Sequence, residues 1–194
     1  EKNEDEQVVP SAKSAKTKII GVIMDAFGAD YGYQVLLGIE RECRNQNLSF
    51  ILKCTFGSKE AETEAIDELL ALGVEGIIIM CVHGETYNAW VLKMAIENFP
   101  IVLIDRQLKG IPISFVGTDN YKASKELTQW LIDRGHTNIC FVTHSSHMTP
   151  TILERQNGFV DCHLEHNLLT NESMWITNLK SMLPTFDEPS SLED

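Results

Sequence analysis

Two apolar runs in the middle of the chain end in groups that hydrogen-bond strongly. Ile101-Val102-Leu103-Ile104 runs directly into Asp105-Arg106, and Ser114-Phe115-Val116-Gly117 leads into Thr118-Asp119-Asn120 and a helical pattern. A β-branched apolar run bounded by turn signals reads as a buried strand, so the charges lie at the carboxyl edge of a sheet. In open α/β sheets that edge is where ligands bind, because loops line a crevice there and helix N-termini point into it. A guanidinium with five donors, two carboxylates and an amide are groups that grip a polyhydroxylated molecule. The pattern suits binding better than reaction.

A third set follows the first apolar run, at the same expected edge. The loop from Asp25 through Phe27 to Tyr31 adds a carboxylate and two rings, and rings stack on the apolar faces of sugars while polar partners take the hydroxyls. The alternative is that Phe27 and Tyr31 pack between two lobes of the fold. Gly28 stands alone rather than in a Gly-x-Gly-x-x-Gly run, so no dinucleotide or phosphate loop is indicated. Cys81 and His83 follow the third expected strand and could touch the same crevice.

Catalytic patterns are weak. No Gly-x-Ser-x-Gly occurs, and Ser145-Ser146 has no evident base and orienting acid. Asp25, Asp105 and Asp119 could suggest the paired carboxylates of glycoside chemistry. A flanking Arg favours charged carboxylates, however, which suits hydrogen bonding rather than general acid catalysis. The close His pairs, His144/His147 and His163/His166, lack a thiolate cluster or a His-Glu-x-x-His context, and exposed loop and helix histidines are the simpler reading. No metal, cofactor or enzyme activity is expected.

The elements that must position these groups alternate along the chain. Strands are expected at 18–24, 49–55, 76–81, 101–104 and 114–116, with helices at 31–47, 59–72 and 86–98 between them. Gly73 is placed to end a helix in a left-handed cap. Such alternation implies an α/β fold with parallel strands joined by right-handed crossovers, complete as one lobe over 18–117. A second lobe starts with a helix at 120–134 capped by Asp119, then a strand at 138–143 and a helix at 151–166. The segment 174–183 could be strand, helix or both. This lobe, 118–183, looks partial, residues 1–17 read as a linker containing Pro10, and 184–194 reads as a polar tail.

Composition agrees. At 194 residues with 43% hydrophobic content the chain can bury a sizeable core. No apolar run approaches the roughly 20 residues needed to span a bilayer, and the N-terminal residues do not form a signal peptide, so a cytoplasmic location without membrane association is expected. A net charge of −12 should repel duplex DNA. Cys43, Cys54, Cys81, Cys140 and Cys162 are scattered and odd in number, which reads as buried or half-buried thiols rather than a disulfide or metal framework.

Taken together, Asp105-Arg106, Asp119-Asn120, Gly135-His136 before 138–142, and Arg155-Gln156-Asn157-Gly158-Phe159 resemble, in order and spacing, the effector domains of LacI/GalR-type transcriptional regulators and sugar-binding proteins of the ribose-binding type. Lys18 to Ile23, Tyr31, Gly38-Ile39-Glu40 and Gly73 to Ile78 add to the likeness, which spans about residues 8–165. The resemblance implies a two-lobed periplasmic-binding-protein-like fold that closes on a small-molecule effector, with a carbohydrate first in line, and a homodimer that reads operator DNA through a module outside this chain. It matches Arg106 to a sugar-binding arginine, Arg155 to an effector-binding arginine and Asp119 to a polar contact. Against these stand plainer roles: Arg106 in an ion pair with Asp105 or a helix carboxylate, Asp119 as a cap alone, Arg155 as an exposed helix residue. A solute-binding protein of a sugar ABC importer is the alternative to a regulator. A full effector domain would continue for roughly a hundred residues more, at ~30 residues per βα unit.

Overall fold

The computed structural model describes residues 18–26, 31–82, 87–144 and 149–179. Five parallel strands form the first sheet: β1 (Lys18–Met24), β2 (Leu48–Cys54), β3 (Gly76–Ile79), β4 (Ile101–Ile104) and β5 (Ser114–Val116), in the order β2-β1-β3-β4-β5. The helices α1 (Tyr31–Asn45), α2 (Lys59–Ala71) and α3 (Ala89–Ile96) connect the first four in chain order, and residues 105–113 join β4 to β5 without a helix. Parallel neighbours cannot be joined by tight hairpins, and these crossovers meet that requirement.

Side chains alternate across a strand, so β1 feeds two cores. Ile23 points to one face, where Ile66 and Leu69 of α2 and Val91 and Met94 of α3 pack with Ile77, Ile79 and Leu103. Val22 and Met24 point to the other, with Met80 and Ile104, against Val35 and Ile39 of α1. Gly21 permits the tight packing of α2, since a Cβ there would lie 2.8 Å from a Leu69 methyl.

Helix ends follow their sequence signals. The Ser58 side chain accepts from the Ala61 N–H at 3.1 Å to start α2, as an N-cap does. Gly73, at φ +75°, follows the α2 C-cap in the left-handed conformation expected of it. Asn88 caps α3, so that helix starts later than the expected 86; the residues before it, 83–86, lie outside the described residues. β3 also stops at Ile79, two residues short of the expected end.

A second group of elements follows: α4 (Asn120–Ile132), β6 (Phe141–His144), α5 (Pro150–Glu165) and β7 (Trp175–Leu179), with a 3-10 turn at Glu172–Met174. β6 pairs in parallel with β7, so the open segment is the end of a turn and a strand up to Leu179, and residues 180–183 lie outside the described residues. β6 begins three residues later than the expected 138. Phe159 of α5 packs edge-on against Phe141 at 5.4 Å and Trp175 at 5.5 Å between ring centres. Gly158 lies where α5 meets α4: a Cβ there would lie 2.2 Å from the Tyr121 carbonyl oxygen.

Candidate functional site

Because the five strands are parallel, their carboxyl ends share one edge. Asp25 follows β1, Cys81 lies just past β3, and Arg106 follows β4. The turn is made at Asp105, which holds a left-handed φ of +60°, a conformation that Asp tolerates better than most residues. That reversal sends the Arg106 side chain back across the edge. Its guanidinium donates to Asp25 Oδ2 at 2.6 Å and to the Cys81 carbonyl at 3.0 Å, while its Nε lies 4.0 Å from Asp105 Oδ2. An ion pair is therefore made, but chiefly with Asp25 after β1 rather than with Asp105 or a helix carboxylate, the plainer expectation. Asp25 is itself fixed from the side, as the Thr55 and Phe56 N–H groups donate to the carbonyls of Met24 and Asp25 at 2.9 and 2.6 Å.

The second cluster belongs to α4 and α5. Asp119 Oδ1 accepts from the Lys122 N–H at 2.9 Å, the expected N-cap. Asn120, 2% exposed, donates to the Thr118 carbonyl at 3.1 Å and accepts from Arg155 Nε at 2.8 Å. Arg155 thus lies at the protein surface yet is anchored to a buried amide. Its neighbour Glu154 turns elsewhere and pairs with Lys109 at 3.2 Å.

Between the two clusters lies an open cleft of about 500 Å³, within the usual range for small-molecule sites. Asp105, Gln107, Lys109 and Phe115 line it from the five-stranded sheet, and Asp119, Tyr121, Pro150, Thr151, Glu154 and Asn157 from α4 and α5. Of the eight expected site residues, Asp105 and Asp119 face this cleft. Asp25 and Arg106 do not line it and pair with each other beside the ends of β1 and β4, and Asn120 and Arg155 line a neighbouring hollow of about 440 Å³ beside β6. Phe27 lies outside the described residues, as do His83 and the side chain of Tyr31. Gln107, Lys109, Tyr121, Glu154 and Asn157 went unrecognised from sequence, because pairing between distant segments decides which polar loop residues meet.

Burial decides the cysteine readings and that of His163 and His166; His147 and the side chain of His144 lie outside the described residues. The five cysteines are all free thiols. Burial and the nearby Glu62 charge push the Cys81 thiol up to about 12, so it contributes its carbonyl and not a nucleophile. Cys140 is exposed, against expectation, and its thiol donates to the Met174 carbonyl at 2.6 Å. His163 is also a correction: it is 2% exposed, with Nδ1 2.8 Å from the Phe159 carbonyl. His166 Nε2 meets Gln129 instead, at 2.6 Å, so the two rings have separate partners. Among the described residues no helix is long and apolar enough to cross a membrane.

A polar cleft beside the carboxyl edge of a doubly wound parallel sheet, with α4 and α5 across it, has the form of a ligand-binding domain. The chain belongs to the family of periplasmic binding proteins and sugar binding domains of the LacI family, whose model matches residues 17–183. The HTH-type transcriptional repressor PurR of Histophilus somni is 28% identical over 169 residues, 87% of this chain and 50% of that protein. A protein assigned as a ribose operon repressor in Burkholderia thailandensis has a similar structure, with a TM-score of 0.74 and 26% identity over 82% of this chain and 60% of that one. A LacI family regulator from Lactobacillus casei, solved with bound sucrose, shares the fold at a TM-score of 0.70 and 20% identity, over 86% of this chain and 60% of that one. The chain spans about half the length of the curated relatives it matches. These relatives are described as regulators and repressors, not enzymes.

Proposed function

We propose that the chain is the effector-sensing and dimerisation core of a bacterial LacI/GalR-type transcriptional regulator, and that its effector is a carbohydrate held between two lobes. The observation that carries this reading is the cleft itself, lined from both sides and flanked by two arginines already oriented by Asp25 and Asn120. The family description as a sugar binding domain and the sucrose bound in a structural relative support the same ligand class. The first lobe comprises 18–117 and the second 118–183. Asp105 and Asp119 accept from hydroxyls, Arg106 and Arg155 donate to them, and Phe27 and Tyr31 offer ring faces.

In this mechanism effector binding selects a closed arrangement of the lobes, which alters the geometry between dimer partners and hence the spacing of DNA-reading modules joined through residues 1–17. Coupling of this kind is reciprocal, so operator DNA changes effector affinity by the same factor. The net charge of −12 assigns DNA contact to those modules and not to this chain. The protein works in the cytoplasm. A solute-binding protein of a sugar importer shares the family description, and it differs in working as a monomer.

The experiment is a thermal-shift screen of ribose, glucose, sucrose and related sugars, with sedimentation of the same samples. A sugar-specific rise in melting temperature on a dimer supports the regulator. A monomer that binds sugar supports the transport reading, and a chain that responds to no sugar refutes the ligand class.

A further inference from the structure

One acidic side chain lies inside the protein, behind the loop that holds Arg106. Glu62 on α2 is 1% exposed, although the neighbouring Glu60 and Glu64 belong to the same acidic run. Burying a carboxylate is unfavourable unless its oxygens are satisfied. One oxygen accepts from the Val82 N–H at 2.5 Å and the other from Asn88 Nδ2 at 2.9 Å. Asn88 in turn caps α3, its Oδ1 accepting from the Trp90 N–H at 2.9 Å. Val82 adjoins Cys81, whose carbonyl receives the Arg106 guanidinium at 3.0 Å. The path runs unbroken from α2 through the loop after β3 to the arginine at the end of β4.

A buried charge is a poor way to gain stability, since an apolar side chain of similar volume is often as good or better. What the carboxylate supplies is direction, because it takes a loop N–H on one oxygen and a helix-capping amide on the other. Arg106 needs such a fixed partner: Asp25 holds one of its amino groups at 2.6 Å, and the Cys81 carbonyl takes the other at 3.0 Å and sets its tilt. We infer that Glu62 is a positioning residue of the effector site, clamping the Val82 N–H so that the Cys81 carbonyl orients the Arg106 guanidinium and ties it to the start of α3. The inference rests on the proposed binding role of Arg106 and assigns its geometry to a residue outside the cleft.

The test is hydrogen exchange by NMR on the full 194-residue chain, comparing wild type with Glu62→Ala and Glu62→Gln. Exchange is followed at the Val82 amide, at the Arg106 guanidinium and at the Ile66 amide of α2 as an internal reference. In Glu62→Ala the half-buried Val82 N–H loses its carboxylate acceptor, so both Val82 and Arg106 should lose protection by about tenfold or more while Ile66 keeps its own. Glu62→Gln retains one acceptor and should lose less at both positions; it decides the matter if the alanine variant does not fold. Loss at Val82 with Arg106 unchanged would reduce Glu62 to a structural buried acid, and no loss at either would remove the clamp. The measurement uses no sugar, so a wild-type chain that ignores sucrose and glucose overturns the binding role while leaving the clamp to be judged by exchange alone.

Discussion

Arg155 reaches across the α4–α5 contact to place its Nε 2.8 Å from Asn120 Oδ1, and the glycine three residues further along α5 is what lets the helices come so close. Ser124 Oγ also donates to the Arg155 carbonyl at 2.7 Å, so both the backbone and the side chain of Arg155 are held against α4.

The first prediction follows from that contact. A Cβ at Gly158 would lie 2.2 Å from the Tyr121 carbonyl oxygen and 3.0 Å from the Lys125 nitrogen, both backbone atoms with little room to yield. Gly158→Ala should push α5 from α4 and destabilise the protein by about 1–3 kcal/mol, the usual penalty of overpacking. Urea denaturation measures it, and a variant as stable as wild type would show that the helices can part freely.

The second prediction concerns pH. Burial, the largest influence, raises the Glu62 carboxyl above its usual 4.5, against the lowering effects of hydrogen bonds from Val82 and Asn88 and the charge of Arg106, while the charge of Asp25 adds to the rise. The folded state therefore binds this proton more tightly than the unfolded chain. Its contribution to stability is complete below the unfolded value and is lost as pH rises through the folded one. The stability of wild type relative to Glu62→Gln should thus fall as pH rises from about 4 toward neutrality. A difference that stays flat, or that grows with pH, contradicts the assignment.

The sheet was legible because β-branched runs and helical periodicity are local signals. Lys18–Met24, Ile101–Ile104 and Ser114–Val116 form strands at the expected bounds, and Gly73 and Asp119 cap as their types suggest. Asn138, Ile139 and Cys140 misled: they have strand-like composition, but β7 pairs from Phe141 onward, and a strand exists only where a partner does. Arg155-x-x-Gly158-Phe159 was recognised for its arginine, whereas its glycine and phenylalanine set the helix approach and the aromatic core. Glu62 was invisible, since one acid among Glu60, Glu62 and Glu64 carries no local mark of burial. The cross-cleft partners Lys109 and Glu154 depend on how two distant units face each other, which no periodicity encodes.

A third prediction uses the thiols. Cys81 is 4% exposed and its thiol is pushed up to about 12, so almost none is thiolate at mildly alkaline pH. Iodoacetamide on the native protein should label the exposed Cys140 well before Cys81, as read by mass spectrometry of the digest. Early labelling of Cys81 would mean that the interior beside Arg106 opens readily.

A fourth concerns the ion pair across the cleft. Lys109 Nζ lies 3.2 Å from Glu154 Oε1, and the Lys109 side chain is 66% exposed. Exposed pairs of this kind contribute about 0–1 kcal/mol, so Lys109→Glu should change unfolding stability little. Setting two carboxylates against each other should instead part the two sides of the cleft, seen as a larger radius of gyration in solution scattering. An unchanged radius with lowered stability would make the pair an ordinary surface contact.

The central claim is that Arg106 and Arg155 hold a sugar between the two sides of the cleft. Each would supply charge-assisted hydrogen bonds of about 1.5–3 kcal/mol, so truncation should weaken binding roughly tenfold to more than a hundredfold. Calorimetric titration of whichever of ribose, glucose or sucrose binds wild type most tightly, into wild type, Arg106→Ala and Arg155→Ala, tests it directly. The account predicts such a loss in both variants, with circular dichroism showing both folded; affinity equal to wild type in both would leave these arginines as internal ion-pair and hydrogen-bond partners and contradict the account.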